Sequence, residues 1–322
     1  MAMMNAAVVT SFEEPPHYQR FEVPRPHGTA EALVDVLAVG LHPRVRSGAA
    51  GAHYTSTGTL PMIPGIDAVG QRPDGSRVYF VAADDVIGTM ADKALADPRR
   101  SVALPGSADV AKVAAAMNPA MSSWVALRRR VPLEPGSSVL VLGATGNAGA
   151  MAIQVARLLG AGRVVGAGRD LGRLEALTSA GADDIVQLTA DSDATGKALA
   201  AAAADTDIVL DYLWGTPAQQ AIMALLTARS DRARALNWVQ IGAVAGPTIE
   251  LPSVALRSAN LRLQGSGQGS VGLADYLAEL PSLVDAISNG AIAVKANTVP
   301  LADVEQAWTR TEPPGERTVL VP

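Results

Sequence analysis

The chain contains no cysteine. That excludes disulfides, thiolate zinc sites and a cysteine nucleophile. Aromatic residues are scarce, at 4%, so the core must be built from aliphatic and small side chains, which suits close packing of helices on sheets. No uncharged apolar run approaches the roughly 18 residues of a membrane span, so no membrane partner is expected. Positive charge is in deficit, with 26 Lys and Arg against 31 Asp and Glu. A broad nucleic-acid surface is therefore not expected either. The local cluster Arg128, Arg129 and Arg130, just ahead of Pro132, reads as a solvated helix end whose charges complement the helix dipole. The opening MAMMNAAVVTSFEEPP has no basic stretch followed by an apolar one, so it does not read as a signal peptide. The expected location is the cytoplasm.

What the chain has is length and apolar mass. Its 322 residues are 48% hydrophobic, enough for two domains with real cores. The first third reads as β-rich and irregular, with strands expected at 6–10 and 32–39 and Pro and Gly punctuation up to about residue 77. From about residue 119 the texture changes. Strand-like runs at 138–142, 163–166, 184–187, 207–210 and 236–241 alternate with helix-like runs at 148–159, 171–180, 195–204 and 217–227; 261–263 adds a last strand. Such alternation predicts βαβ units and a parallel sheet covered on both faces. After residue 269 come an expected helix at 273–289, a strand at 296–299, a helix at 301–309 and a strand at 318–321. That tail returns to the texture of the first third. The expected organisation is a nucleotide domain at 119–267 inserted within a discontinuous second domain, 1–118 and 268–322.

The segment VLVLGATGNAG carries the chemistry. An apolar strand enters a turn of small residues (Ala144, Thr145, Gly146, Asn147, Ala148, Gly149), and a helical pattern leaves it. Gly146 lets the backbone approach a pyrophosphate, and Gly149 lets helix pack close to strand. The helix N-terminus offers N–H groups and the positive end of its dipole. Small residues also serve plain packing, but a strand before, a helix after and a second strand about 20 residues on favour a dinucleotide. The second strand, RVVGAGRD, selects which one. An NAD site places a carboxylate at this strand's end. Here Gly168 stands there, followed by Arg169 and, one helical turn on, Arg173. Guanidinium groups suit a 2′-phosphate, so the expected cofactor is NADP(H). Asp170 argues the other way, but it falls two residues late and is expected to cap the next helix.

With these residues in hand, the chain resembles the medium-chain dehydrogenase/reductase superfamily, and within it the zinc-independent quinone oxidoreductase branch. The landmarks are AVGLH at 38–42 with RSG at 46–48, LPMIPGIDAVG at 60–70, RVYF at 77–80, LEPGSSVLVLGATGNAG at 133–149, AGADD at 180–184, DIVLD at 207–211, Gly265 with Ser266, and the ending GERTVLVP. Their order and spacing span nearly the whole length. The resemblance implies an α/β protein with a Rossmann domain (a doubly wound parallel sheet) and a GroES-like β-rich catalytic domain, an active site in the cleft between them, and hydride transfer from a nicotinamide. Placed on it, the three zinc-ligand positions hold His42, Ile66 and Asn118. Ile66 cannot bind metal, so no metal is expected.

The same resemblance implies roles for individual residues. Ile241 and Gly242 after the fifth strand, and Gly265 and Ser266 after the sixth, would flank the nicotinamide and its ribose. Ser122 matches a hydroxyl near the cofactor, and Arg317 a basic residue reaching the pyrophosphate. His42 stands where the branch often has Asn. It is a candidate proton donor to the substrate oxygen, or a buried histidine satisfying a carbonyl. Tyr54 lies in a loop that borders the cleft in related reductases and is the second catalytic candidate; His53 beside it is a weaker one. Asp67 follows the lost zinc-ligand position. Phe80 and Met121 are placed to line a substrate pocket. The four tryptophans are expected to pack, with Trp214 occupying a place where the family more often has small residues.

These residues support three readings. The first is a zinc-independent, NADPH-dependent reductase of quinones or of activated C=C bonds in α,β-unsaturated carbonyls. The second is a ketone, aldehyde or imine reductase. The third is a weakly catalytic NADPH-binding redox sensor. The resemblance also implies a homodimer, with residues 256–265 as an edge strand available for pairing.

Overall fold

The computed structural model describes residues 2–26, 31–313 and 315–322. The chain divides into two compact units, Ala120–Glu279 and the pair Met1–Pro119 with Leu280–Pro322. The divisions fall inside two helices, Val110–Val125 and Leu273–Ser288. Among the described residues no helix is long and apolar enough to cross a membrane.

The unit Ala120–Glu279 is the expected α/β layer structure. Six strands form one sheet in the spatial order Asp184–Gln187, Arg163–Gly168, Ser138–Leu142, Ile208–Asp211, Leu236–Gln240, Leu261–Gly265. Every pairing is parallel. In chain order this is 3-2-1-4-5-6, so the winding reverses beside the first strand, and ligands of such sheets bind there, outside the strands' C-terminal ends. Sequence dictates the burial. Val139–Leu142 is apolar at every position and buried at every position, as a strand covered on both faces requires. The core joins Leu140, Leu142, Val165, Val209 and Trp238 of the sheet to Leu199, Ile222 and Leu225 of the helices.

The other unit is a mixed sheet. Its order is Lys295–Pro300, Glu316–Val321, Ala32–Gly40, Asp67–Gln71, Arg77–Val81, Ser101–Ala103, with Lys93–Ala96 also pairing Ala32–Gly40. A separate ribbon pairs Met3–Val8 with His17–Glu22. The tail strand runs antiparallel to Ala32–Gly40, with Leu320 opposite Val39, which explains why the two ends of the chain share one texture. Phe80 is fully buried in this unit's core cluster. It packs there.

The reading of Arg128–Arg130 as a solvated helix end is corrected. The helix Val110–Val125 runs on into a π-helical turn, Ala126–Arg130. Arg128 Nε and Arg129 Nε donate to Glu279 at 2.5 and 2.6 Å, and Trp124 Nε1 donates to the same carboxylate at 2.9 Å. Arg130 donates to the carbonyls of Gly265 and Ser270. Glu279 is 2% exposed, and a buried carboxylate must be paired. Burial pushes its carboxyl up, but hydrogen bonds from Trp124, Arg128 and Arg129 outweigh it and hold the group below the usual range. The stabilisation is therefore full above the ordinary glutamate value and is lost as pH falls through the lower folded one. Hydrogen bonds to charged groups contribute about 1.5–3 kcal/mol each, yet both arginine heads reach solvent, so Glu279→Ala is expected to cost about 2 kcal/mol. A lowered urea midpoint at neutral pH, with the gap closing in acid, checks this.

Candidate active site

The turn after the first strand is shaped by two glycines with different reasons. Gly143 has φ +87°, which suits glycine. Gly143 N and Ala144 N both donate to Ala167 O at 2.9 Å, which ties the turn to the second strand. A Cβ on Gly149 would lie 2.3 Å from Gly143 O, so helix Asn147–Leu158 can approach the strand only with glycine there. Gly146 is different: a Cβ would meet one chain atom, Gly143 O, at an ordinary 3.5 Å. Gly146 is the helix N-cap and supplies no capping side chain. The first-turn N–H groups therefore meet no side-chain oxygen from the cap.

At the end of the second strand, Gly168 is buried, and a Cβ there would lie 2.6 Å from Thr145 Cγ2. The threonine of the phosphate turn fills the space a side chain would take. Asp170 caps the next helix, its Oδ1 accepting from Arg173 N at 3.0 Å. Arg173 Nη1 donates to Thr145 O at 3.4 Å, holding the guanidinium against the phosphate turn. Arg169 is exposed.

The fourth strand ends in a carboxylate that organises the turn after it. Asp211 is fully buried. Its Oδ1 accepts from Leu213 N and Trp214 N at 2.8 and 2.9 Å, and its Oδ2 from Trp238 Nε1 at 3.0 Å. Burial pushes its carboxyl up even against these bonds. The held turn carries Trp214 at φ +53°, ψ −160°, a region that costs a non-glycine residue about 1–3 kcal/mol. Tyr212 stands beneath the neighbouring turns: a Cβ on Gly143 would lie 3.2 Å from Tyr212 Cβ, and one on Gly242 would lie 2.8 Å from Tyr212 O. The Tyr212 hydroxyl lies 2.9 Å from Ser122 Oγ. Burial, opposed by hydrogen bonds to Ser122 and Ser123, pushes the phenol up to about 12, so it stays protonated at neutral pH. Ile241 N and Gly242 N both donate to Asp211 O, and Ser266 N donates to Gln240 O at 2.8 Å. Ser122, the 144–149 turn, Gly168, Arg169, Arg173, Ile241, Gly242, Gly265 and Ser266 thus all belong to one unit, most of them at one edge of its sheet.

His42, Tyr54 and Arg317 belong to the other unit. His42 closes the strand Ala32–Gly40 and caps the helix Pro43–Ala49. It is 1% exposed, and its Nε2 lies 3.2 Å from Asp67 Oδ1. Tyr79 donates to Asp67 Oδ2 at 2.8 Å. Tyr54 is 71% exposed and its ring lies 4.2 Å from that of His53. The loop is pinned beside it: Thr55 Oγ1 donates to Asp85 at 2.7 Å and accepts from Arg44 at 2.6 Å. Burial, then the Arg44 charge, pushes His53 down to about 4. Its neutral Nδ1 accepts from Thr55 N at 3.2 Å. Arg317 is buried, donating to Leu41 O at 3.0 Å and Glu312 Oε2 at 3.1 Å.

Comparison with known proteins adds the family. The model described as zinc-binding dehydrogenase matches residues 148–288. A protein of Emericella nidulans named a probable NADPH-dependent quinone reductase, tdiC, is 30% identical over 99% of this chain and 100% of its own. The chain belongs to the medium-chain dehydrogenase/reductase superfamily, in its quinone oxidoreductase branch. It is therefore an oxidoreductase of the quinone reductase type. The crystal structure of a probable oxidoreductase from Mycobacterium abscessus superposes with a TM-score of 0.79 at 26% identity, over 100% of this chain and 99% of that one. A mycobacterial protein complexed with NADPH shares the fold at 21% identity, with a TM-score of 0.76 over 99% of this chain and 100% of that one.

Sequence reasoning missed the roles of Asp211 and Tyr212, the pairing of Asp67 with His42, and Tyr79 behind Asp67. Asp211 had a signal, since an acidic residue ends an otherwise apolar strand. Tyr212 and Tyr79 had none, because their roles depend on contacts across 90 and 12 residues of chain.

Proposed function

We propose that this protein is an NADPH-dependent quinone reductase that works without a catalytic metal. The observation that carries the reading is the end of the second strand. There Gly168 replaces the carboxylate, Asp170 caps the helix and pairs with Arg173 Nε at 3.4 Å, and exposed Arg169 with the outer N–H groups of Arg173 is left for a 2′-phosphate. The cofactor is NADP(H), and when bound it supplies a hydride. The first-turn N–H groups behind Gly146 hold its pyrophosphate, and Arg169 and Arg173 its 2′-phosphate. Ile241, Gly242, Gly265, Ser266 and the Ser122 hydroxyl attend the nicotinamide end.

The residues at the three zinc-ligand positions do not fit a catalytic zinc. Ile66 has no donor atom, and His42 Nε2 is turned to Asp67, while three protein ligands are the rule. Quinones and conjugated enones suit a metal-free site because their own conjugation receives the developing charge. The substrate gains a hydride and one proton, giving the hydroquinone and NADP+. His42 is the candidate proton partner at the substrate oxygen, with Tyr54 the second. The edge strand Leu261–Gly265, beside exposed Leu256 and Leu263, is proposed to pair across a twofold in a cytoplasmic homodimer; a monomeric mass in sedimentation sinks that part.

The test is NADPH oxidation against quinones, enones, ketones and imines, with one arm in EDTA. Turnover of quinones or enones, indifferent to EDTA, is expected. Loss of activity in EDTA, or turnover confined to ketones or imines, contradicts the reading.

A further inference from the structure

The unit that holds His42 contains a buried polar chain whose last member has an unused hydrogen-bonding atom. Sheet register creates it. Asp67 and Tyr79 lie on paired antiparallel strands, with Val69 opposite Tyr79 and Val81 opposite Asp67. Residues two apart on a strand share a face, so Asp67 and Tyr79 are diagonal neighbours on one side of the sheet. His42 reaches the same carboxylate from the end of the adjoining strand, and Thr89 Oγ1 bonds Asp67 O at 2.9 Å. Asp67 thereby has Oδ1 facing His42 and Oδ2 accepting from Tyr79. His42 and Asp67 side chains are only 2% and 3% exposed. Yet His42 Nδ1 is buried with no hydrogen-bond partner among the described residues. Leaving a buried ring nitrogen without a partner is unfavourable for the fold.

We propose that Asp67 and Tyr79 are positioning residues that fix the orientation and tautomer of His42, leaving Nδ1 as the atom that meets the substrate oxygen. The inference rests on the quinone-reductase reading and on His42 as its proton partner. A carboxylate accepts only, so Nε2 carries the hydrogen that faces Asp67. The neutral ring then presents a lone pair at Nδ1, and it presents an N–H there only as the imidazolium. Proton delivery therefore passes from Nδ1 of the doubly protonated ring to the reduced quinone's oxygen, leaving the neutral Nε2–H tautomer with Asp67 as its fixed partner. The Tyr79 hydroxyl occupies the second carboxylate oxygen, so the carboxylate cannot rotate without breaking a bond. An orienting carboxylate acts on histidine in this way in triad chemistry, where its loss leaves geometry intact but the wrong tautomer.

Nitrogen NMR on 15N-histidine protein reads the tautomer directly. Only four histidines are present, and the spectrum of His42→Asn assigns the missing one. The expected result is that the neutral form of His42 carries its hydrogen on Nε2 and none on Nδ1. A neutral ring with hydrogen on Nδ1 and none on Nε2 overturns the proposal. In parallel, Asp67→Asn is expected to lower kcat with a quinone about 10–100-fold, with KM for quinone and NADPH affinity near wild type. Wild-type kcat in Asp67→Asn, alongside an impaired His42→Asn, also overturns it. Should Asp67→Asn not fold, Tyr79→Phe removes one hydroxyl from the same carboxylate. It is expected to lower kcat several-fold at unchanged KM, and unchanged kcat counts against positioning. Full activity in His42→Asn instead contradicts the proton-partner reading, and the NMR tautomer still decides the positioning claim by itself.

Discussion

Alanine at Gly149 is expected to unfold the nucleotide unit under mild conditions, whereas alanine at Gly146 leaves it folded and unable to hold NADPH. The difference is local geometry. The atoms a Gly149 Cβ would meet are backbone: Gly143 O at 2.3 Å and Ala144 Cα at 2.8 Å. Backbone cannot rotate aside as a side chain can. Relief means sliding the helix off the first strand through a core packed to crystal-like density. The cost is about 3 kcal/mol or more, a large share of a typical total stability of about 5–15 kcal/mol. Gly146 sits at φ −81° with its nearest chain atom at 3.5 Å, so an alanine fits the free protein. What it obstructs is the approach of pyrophosphate oxygens to the first-turn N–H groups. Thermal unfolding should show a large fall in Tm for Gly149→Ala and almost none for Gly146→Ala. NADPH titration of Gly146→Ala should show at least a tenfold weaker Kd. Wild-type NADPH binding by Gly146→Ala would place the pyrophosphate elsewhere.

Removing both Arg169 and Arg173 should cost NADPH about 100-fold in KM while leaving NADH nearly unchanged. Charge-assisted hydrogen bonds contribute roughly 1.5–3 kcal/mol each, and two at the low end give about a factor of 100. The residual NADH activity should not rise, because Asp170 is occupied as the helix cap and offers no free carboxylate to the ribose. Gly168→Asp is not expected to convert the enzyme to NADH by itself, since Thr145 Cγ2 stands 2.6 Å from the position of the new Cβ. Paired steady-state measurements with the two cofactors check both points. Equal loss with NADPH and NADH would mean the arginines support the turn and do not read the phosphate.

The parallel-sheet unit was largely legible in the sequence because its rules are short-range. The run VLVL followed by small residues fixes a buried strand and a helix start within about 20 residues, and the strands Ser138–Leu142 and Asp184–Gln187 stand where the apolar runs predict them. The Asp170 cap was legible for the same reason. The helix Val110–Val125 was not, since Pro119 lies inside it and proline reads as a break. The strand Arg77–Val81 was hidden as well. It is apolar at four positions running, and its identity as a strand comes from pairing with Asp67–Gln71 and Ser101–Ala103. Buried charge was the least legible feature. Glu279 looks like a surface acid in the sequence, and nothing there shows the partners of Asp211 or Asp67. All three are interior because Trp124 with two arginines, a turn with Trp238, and His42 with Tyr79 arrive from elsewhere in the chain to satisfy them.

Metal-free hydride delivery from NADPH to a quinone can be checked in one assay. The rate of NADPH oxidation at 340 nm is measured with a single quinone, beside NADH at equal concentration, in EDTA throughout. Saturable turnover is expected, with kcat/KM favouring NADPH by at least tenfold. NADPH that binds and is not consumed, or an enzyme that prefers NADH, would refute it.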